Sequence, residues 1–181
     1  MKIKEILCAA ARLSGKEDAA AFFTGEGPDN PAVAKIDVAF LRSALRLAEA
    51  DVCERRGGTR VEERVSSAGE WLPYGALQYA PARVLTVNGL PAEKRADGFY
   101  APAGNPLVCY ERRPLENSDE EEPDLPRAFD RALVYFTAAE CAVRDGNTDL
   151  AAEYNDKYEK ALSACSGKHR TAHLRERGWR G

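Results

Sequence analysis

The chain has 181 residues, 44% hydrophobic and 30% charged, the profile of a globular domain that buries roughly 70% of the surface its unfolded chain exposes. No apolar run approaches the ~20 residues that span a bilayer, and Met1-Lys2-Ile3-Lys4-Glu5-Ile6-Leu7-Cys8 places charges inside its apolar stretch, unlike a secretory leader. The reading is a cytoplasm-like setting, and the net charge of −3 argues against a dedicated nucleic-acid binder.

The first predicted element is an amphipathic helix over residues 2–14. Ile3, Ile6, Leu7, Ala10 and Leu13 share its face, and Ser14-Gly15 ends it. A short helix over Glu17–Thr24 is expected to use Phe22 and Phe23 as anchors, followed by the loop Gly25-Glu26-Gly27-Pro28-Asp29-Asn30. Pro31 opens a long helix to about Arg56. Its expected buried side is Val33, Ile36, Phe40, Leu41, Ala44, Leu45, Ala48 and Val52, and Gly57-Gly58 stops it.

From Thr59 to Arg113 the hydrophobic period changes. Val61 and Val65 alternate with charges, Arg83-Val84-Leu85-Thr86-Val87 is β-branched, and Asn88-Gly89 is a favoured hairpin turn. Gly98-Phe99-Tyr100 and Leu107-Val108-Cys109-Tyr110 add two strands. The expectation is a small antiparallel meander covered on one face by Trp71, Tyr74 and Tyr79. Pro114–Asp124 reads as a polar linker holding the acidic run Asp119-Glu120-Glu121-Glu122, either a solvated loop or a negative rim that repels DNA.

A helical hairpin closes the chain. Pro126 suits a first helical turn, and Phe129, Leu133, Phe136, Ala139 and Val143 recur at steps of three and four. Gly146 suits a left-handed helix end, Asn147 or Thr148 a cap, and Asp149 the positive end of the next helix. The second stripe is Ala151, Tyr154, Tyr158, Ala161, Leu162 and Cys165, and the short turn makes the helices antiparallel neighbours. Phe40, Leu45, Phe129, Leu133, Phe136, Tyr154, Tyr158 and Leu162 are expected in the core. The fold class is therefore α+β: a helical bundle from the N- and C-terminal blocks with an antiparallel β insert near 59–113. Residues 1–167 form one domain and 168–181 a basic tail.

Chemistry-bearing motifs are scarce. Cys8, Cys53, Cys109, Cys141 and Cys165 form no Cys-x-x-Cys pair and read as small buried thiols. The two histidines, His169 and His173, share a helical spacing without a third ligand nearby. No phosphate-binding glycine loop is present, and Glu62-Glu63 would point to opposite faces of a strand. The expectation is no catalytic residue, no cofactor and no metal. In the tail, Lys168, Arg170, Arg175, Arg177 and Arg180 face one acid, Glu176, and the segment has too little apolar surface to offset its ordering entropy. It reads as mobile, either a solubilising terminus or a docking arm. In the second case Trp179 is the anchor, Leu174 a second apolar contact, and Arg175, Arg177 and Arg180 the groups that meet acids or, less favourably, DNA phosphates.

Taken in order, the layout resembles the head–tail connector (adaptor or head-completion) proteins of tailed bacteriophages. The resemblance runs from Ile3-Lys4-Glu5-Ile6-Leu7 through the helix Ile36–Arg56, the phrases Pro81-Ala82-Arg83-Val84-Leu85-Thr86-Val87-Asn88-Gly89 and Asn105-Pro106-Leu107-Val108-Cys109-Tyr110, and the closing hairpin from Leu125-Pro126 to Tyr158-Glu159-Lys160-Ala161-Leu162. It lies in pattern and order, not in one motif. It implies a non-enzymatic virion subunit, assembled in the host cytoplasm, that forms a ring on the portal or tail proteins. DNA passes through such a ring without sequence-specific binding. The closing hairpin also looks like one tetratricopeptide-type pair, which leaves a helical protein–protein binding module as the alternative. A solenoid needs about three such units and the chain has one.

Overall fold

The computed structural model describes residues 1–115 and 117–177, with 166–177 as backbone alone. The class is α+β, as the sequence pattern implies. Five helices, α1 (Ile3–Leu13), α2 (Glu17–Thr24), α3 (Pro31–Arg56), α4 (Asp130–Arg144) and α5 (Thr148–Arg177), flank six strands. These are β1 (Thr59–Arg64), β2 (Glu70–Pro73), β3 (Pro81–Val87), β4 (Leu90–Pro91), β5 (Gly98–Ala101) and β6 (Leu107–Arg112). The chain divides into two compact units, one of Met1–Val52 with the chain from residue 116 onward, the other Cys53–Leu115.

In the helical unit the punctuation falls where the residues call for it. Asn30 Oδ1 accepts the Val33 N–H at 3.3 Å and caps α3, whose first residue is Pro31. Gly57, at φ +91°, follows its last residue. The α4–α5 turn has Gly146 at φ +75°, and Asn147 Oδ1 accepts the Leu150 N–H at 3.1 Å, so Asn147 is the cap of α5.

Helix α4 is the centre of this unit. Ala132, Leu133, Val134, Thr137, Ala138, Ala139, Cys141 and Ala142 are all buried, which takes up more than one face. The small residues let α1 and α5 approach it closely. Ile6, Leu7 and Ala10 of α1 and Tyr154, Tyr158 and Leu162 of α5 fill the remaining space. Tyr154 donates to the Leu13 carbonyl at 2.7 Å, and Tyr158 donates to Asp51, so both phenols bury their rings and satisfy their hydroxyls.

Several expected core positions lie elsewhere. Val33 and Ile36 are exposed, Phe40 is half-buried, and the inward face of α3 is Ala34, Val38, Leu41, Ala44, Leu45, Ala48 and Val52. Two apolar stripes run along α3, and periodicity gives their spacing but not which one faces in. The small side chains of the second stripe suit the closer packing. Leu13 and Val143 are exposed at the ends of their helices. Phe136 is half-buried, its ring edge-on to Tyr158 with centroids 5.2 Å apart. Helix α2 is anchored by buried Ala19 and Ala20, while Phe22 is exposed and Phe23 half-buried.

The β unit is not a meander. Its larger sheet has the order β1-β6-β3-β4, all antiparallel, and β2 pairs with β5 in a separate two-stranded sheet. The Asn88-Gly89 turn is present, with φ +52° and +79°, but the β4 arm is only two residues long. Chain that would have continued a meander leaves to pair with β2. That pairing needs Gly98, because a Cβ there would stand 2.2 Å from the Leu72 carbonyl oxygen. Strand β6 lies between β1 and β3, its Val108 and Tyr110 fully buried, and the Tyr110 hydroxyl accepts the Tyr79 N–H at 3.3 Å. Val84, Val87, Leu77, Phe99 and Ala101 complete this core, with Tyr74 and Tyr79 packed against it. Trp71 instead lies under Arg95, 3.8 Å from its ring centre, and edge-on to Tyr100.

Candidate interaction surfaces

The acidic run is an exposed loop, as expected, and it is also engaged with the helical unit. The Glu121 carbonyl accepts the Ile3 N–H at 2.8 Å and the Asp119 carbonyl accepts the Lys4 N–H at 2.9 Å. Two of the unpaired N–H groups that open any helix are thus satisfied by this segment. Its side chains are engaged as well. Glu120 takes Lys4 at 2.8 Å and Lys2 at 3.2 Å, Asp119 takes Arg42 of α3, and Glu122 takes Arg127. Lys4 and Lys2 hold the Glu120 carboxyl below its usual range, hydrogen bonds from Ser118 do so for Glu121, and Arg127 does so for Glu122. The segment is a strap that fastens α1 to the start of α4. Sequence signals for this existed, since Lys2 and Lys4 are complementary to the run, but their distance along the chain hid the pairing.

Helix α3 carries the main apolar surface. Val33, Ile36 and Leu47 are 44%, 67% and 55% exposed and lie with Phe40 on the side away from the core. Phe40 is covered in part by Arg144, whose guanidinium carbon is 4.4 Å from the ring centre and which also donates to buried Asp37. Beside this face, Phe22, Pro28, Pro31 and Val38 line a groove of about 570 Å³ with Lys35 and Arg42 at its rim. A second groove, of about 390 Å³, lies between α4 and α5, lined by Arg131, Tyr135, Lys157, Lys160 and Ala161.

Glu49 is the strongly shifted group with a resolved value among the described residues. Glu49 is buried in the helical unit, and its pKa is pushed up to about 7, first by burial, then by Asp124, with Arg46 opposing. A carboxyl poised near neutrality suits general acid–base work, but such work needs substrate within hydrogen-bond reach. Glu49 lines neither groove. Among the described residues, no group of three or more His, Cys, Asp or Glu side chains is arranged to hold a metal. Cys8, Cys53, Cys109, Cys141 and Cys165 form no disulfide with one another; three are buried and two half-buried, and burial pushes the Cys141 thiol up.

Of the tail residues singled out from the sequence, Leu174, Arg175 and Arg177 fall on the backbone of α5. Their side chains, those of His169 and His173, and the whole of Trp179 and Arg180 lie outside the described residues. No described helix is long and apolar enough to cross a membrane. The chain matches no protein-family model, and no curated protein is similar to it in sequence.

Proposed function

We propose that the chain is a non-enzymatic structural subunit of a phage or prophage head–tail connector ring that docks on the portal. The observation that carries this reading is the arrangement of the helical unit. Segments from both ends of the chain close one bundle around α4, and a compact β unit interrupts them in sequence. The order and the elements are those of the connector resemblance. The helical unit carries an outward apolar face on α3, and such patches are often interaction surfaces. The net charge of −3 suits a ring through which DNA passes without being held.

The alternative, a tetratricopeptide-like binding module, has less support. In a solenoid each helix pair leaves faces for its neighbours on either side. Here α4 is enclosed within its own unit by α1 and α5.

The reading is tested by the composition of particles. Virions or induced prophage particles from the source strain are purified and quantified by mass spectrometry against the portal protein. A copy number in fixed ratio to portal, present in tailed particles, is the expected result. Absence of the chain from such particles contradicts it.

A further inference from the structure

Strand β1 is an edge of the larger sheet, with β6 on one side and, among the described residues, no strand on the other. The Val65 N–H donates to the Pro106 carbonyl at 3.2 Å, one step beyond the β1–β6 register. Backbone groups of an antiparallel strand alternate in direction, so those of Thr59, Val61 and Glu63 point to β6 and those of Arg60, Glu62 and Arg64 point away. Leu107, opposite Arg64, agrees with this phase: its N–H and carbonyl turn from β1 to Asn88, at 2.8 and 2.7 Å. The outward N–H and carbonyl groups of Arg60, Glu62 and Arg64 have no hydrogen-bond partner among the described residues, and all three residues are exposed. The side chains of Arg60 and Glu62 are also without an ion pair among the described residues. Glu111, opposite Arg60 on β6, is held by Arg83 at 2.9 Å.

An open edge of this kind is a template for another strand, and charged side chains are the usual protection against it. On β1 the charges oppose some registers and favour one. Consider two copies of β1 antiparallel about a two-fold axis. With the axis at Glu62, Glu62 meets its own copy and Arg60 meets Arg64, like against like. With the axis at Arg60 or at Glu63, that residue meets itself. With the axis at Val61, Arg60 of each copy lies opposite Glu62 of the other, Val61 meets Val61, and no like charges are opposed. In this register Arg60 and Glu62 are also the residues whose backbone groups face outward, so each Arg60–Glu62 pair exchanges two backbone hydrogen bonds. Hydrogen-bond phase and charge select the same register, and the partner that satisfies both is a second copy of this strand.

We propose that two copies of this chain pair edge to edge through β1, antiparallel about a two-fold axis at Val61, joining their larger sheets into one. The contact is isologous and closes at two copies, so it is a state of the free chain, distinct from the contacts of a ring. It stands on the β1 edge and does not rest on the connector reading. The strand is short, and the contact falls below the ~800 Å² per partner of a standard interface, so the pair is weak, with a dissociation constant on the order of tens of micromolar.

Charge exchange tests it. Arg60→Glu and Glu62→Arg are made separately; both positions are exposed, and thermal melts by circular dichroism check folding. Masses are measured by sedimentation equilibrium over a concentration series. The wild-type chain is expected to dimerise reversibly. Each variant sets like charges against each other at both pairs and is expected to dimerise about 10-fold or more weakly. An equal mixture of the two variants puts opposite charges back at both pairs and is expected to dimerise as the wild type does. A further variant, Val61→Cys, reads the register directly. Residues opposed at a non-hydrogen-bonded position have Cα atoms about 4.5 Å apart, within disulfide reach. Mild oxidation is expected to give a covalent dimer that the wild type, with its native cysteines, does not give. If a charge variant fails to fold, this cross-link decides. A wild-type chain that stays monomeric up to its solubility limit overturns the proposal. So does association that either folded charge variant leaves unchanged, a mixture that stays monomeric, or a Val61→Cys chain that cross-links no more than the wild type. Each of these outcomes leaves the connector reading to its own test on particles.

Discussion

The backbone N–H of Lys4 donates to the carbonyl of Asp119 at 2.9 Å, across more than a hundred residues of sequence that include the whole β unit. The acidic run is therefore a structural strap on the helical unit. Glu120 and Glu122 stay exposed to solvent, but each also meets cations of this same unit.

The strap should let go in acid. Glu120, Glu121 and Glu122 all have carboxyl pKa values held below the ordinary 4.5. Groups depressed in this way stabilise the fold above their unfolded pKa and lose that contribution as pH falls through the folded one. Hydrogen exchange, corrected for its intrinsic pH dependence, should show the Ile3 and Lys4 amides losing protection below about pH 4.5. Amides of central α4 should stay protected over the same range. Uniform loss across both helices would contradict the strap.

Glu49 predicts the opposite slope. Its pKa is raised from 4.5 to about 7, so the folded chain holds a proton that the unfolded chain releases. The neutral carboxyl is tolerated at low pH, and stability falls as pH rises from 4.5 to 7. Glu49→Gln should remove that slope and raise stability at pH 8 by up to about 3 kcal/mol. Denaturant titrations at three pH values decide it. An unchanged slope in the variant would show that Glu49 is ionised in the fold.

Thr137 is fully buried in α4, and its hydroxyl has no hydrogen-bond partner among the described residues. Valine has the same shape without the polar group. Thr137→Val should stabilise the chain by about 1 kcal/mol, the cost recovered from an unsatisfied hydroxyl. A loss of similar size in chemical denaturation would mean that the hydroxyl is satisfied.

Gly98→Ala should act on the β unit. The added methyl carbon would stand 2.2 Å from the Leu72 carbonyl oxygen, so β2 and β5 must separate or bend. A cost of about 1–3 kcal/mol is expected, as for other overpacked sites. Trp71 in β2 should report it as a fluorescence change that precedes loss of helix. Wild-type stability would show that the strands part at no cost.

Local punctuation was legible in the sequence, and phase and partnership were not. Pro31, Gly57, Asn88-Gly89 and Gly146-Asn147 mark turns and ends through their own backbone chemistry, so each element they bound is found in place. Val33 and Ile36 have the same spacing as Ala34 and Val38, and only the packing around α3 decides between them. Likewise Leu107–Tyr110 reads as a strand from its residues, but its central place between β1 and β3 depends on where β5 goes, which rests on one close approach at Gly98. The strap joins groups whose complementary charges are visible and whose proximity is not. The outward strip of α3 has the same helical spacing as the core stripe, so periodicity identifies the helix and cannot tell its two apolar faces apart.

The proposed role as a ring subunit requires that the chain dock on a portal. The test is to mix the purified chain with portal rings of the candidate particle and to measure the mass of any complex. A closed ring of copies on each portal, at one fixed stoichiometry, is the expected result. A chain that stays free of the portal, with the same mass in its presence and absence, would contradict it.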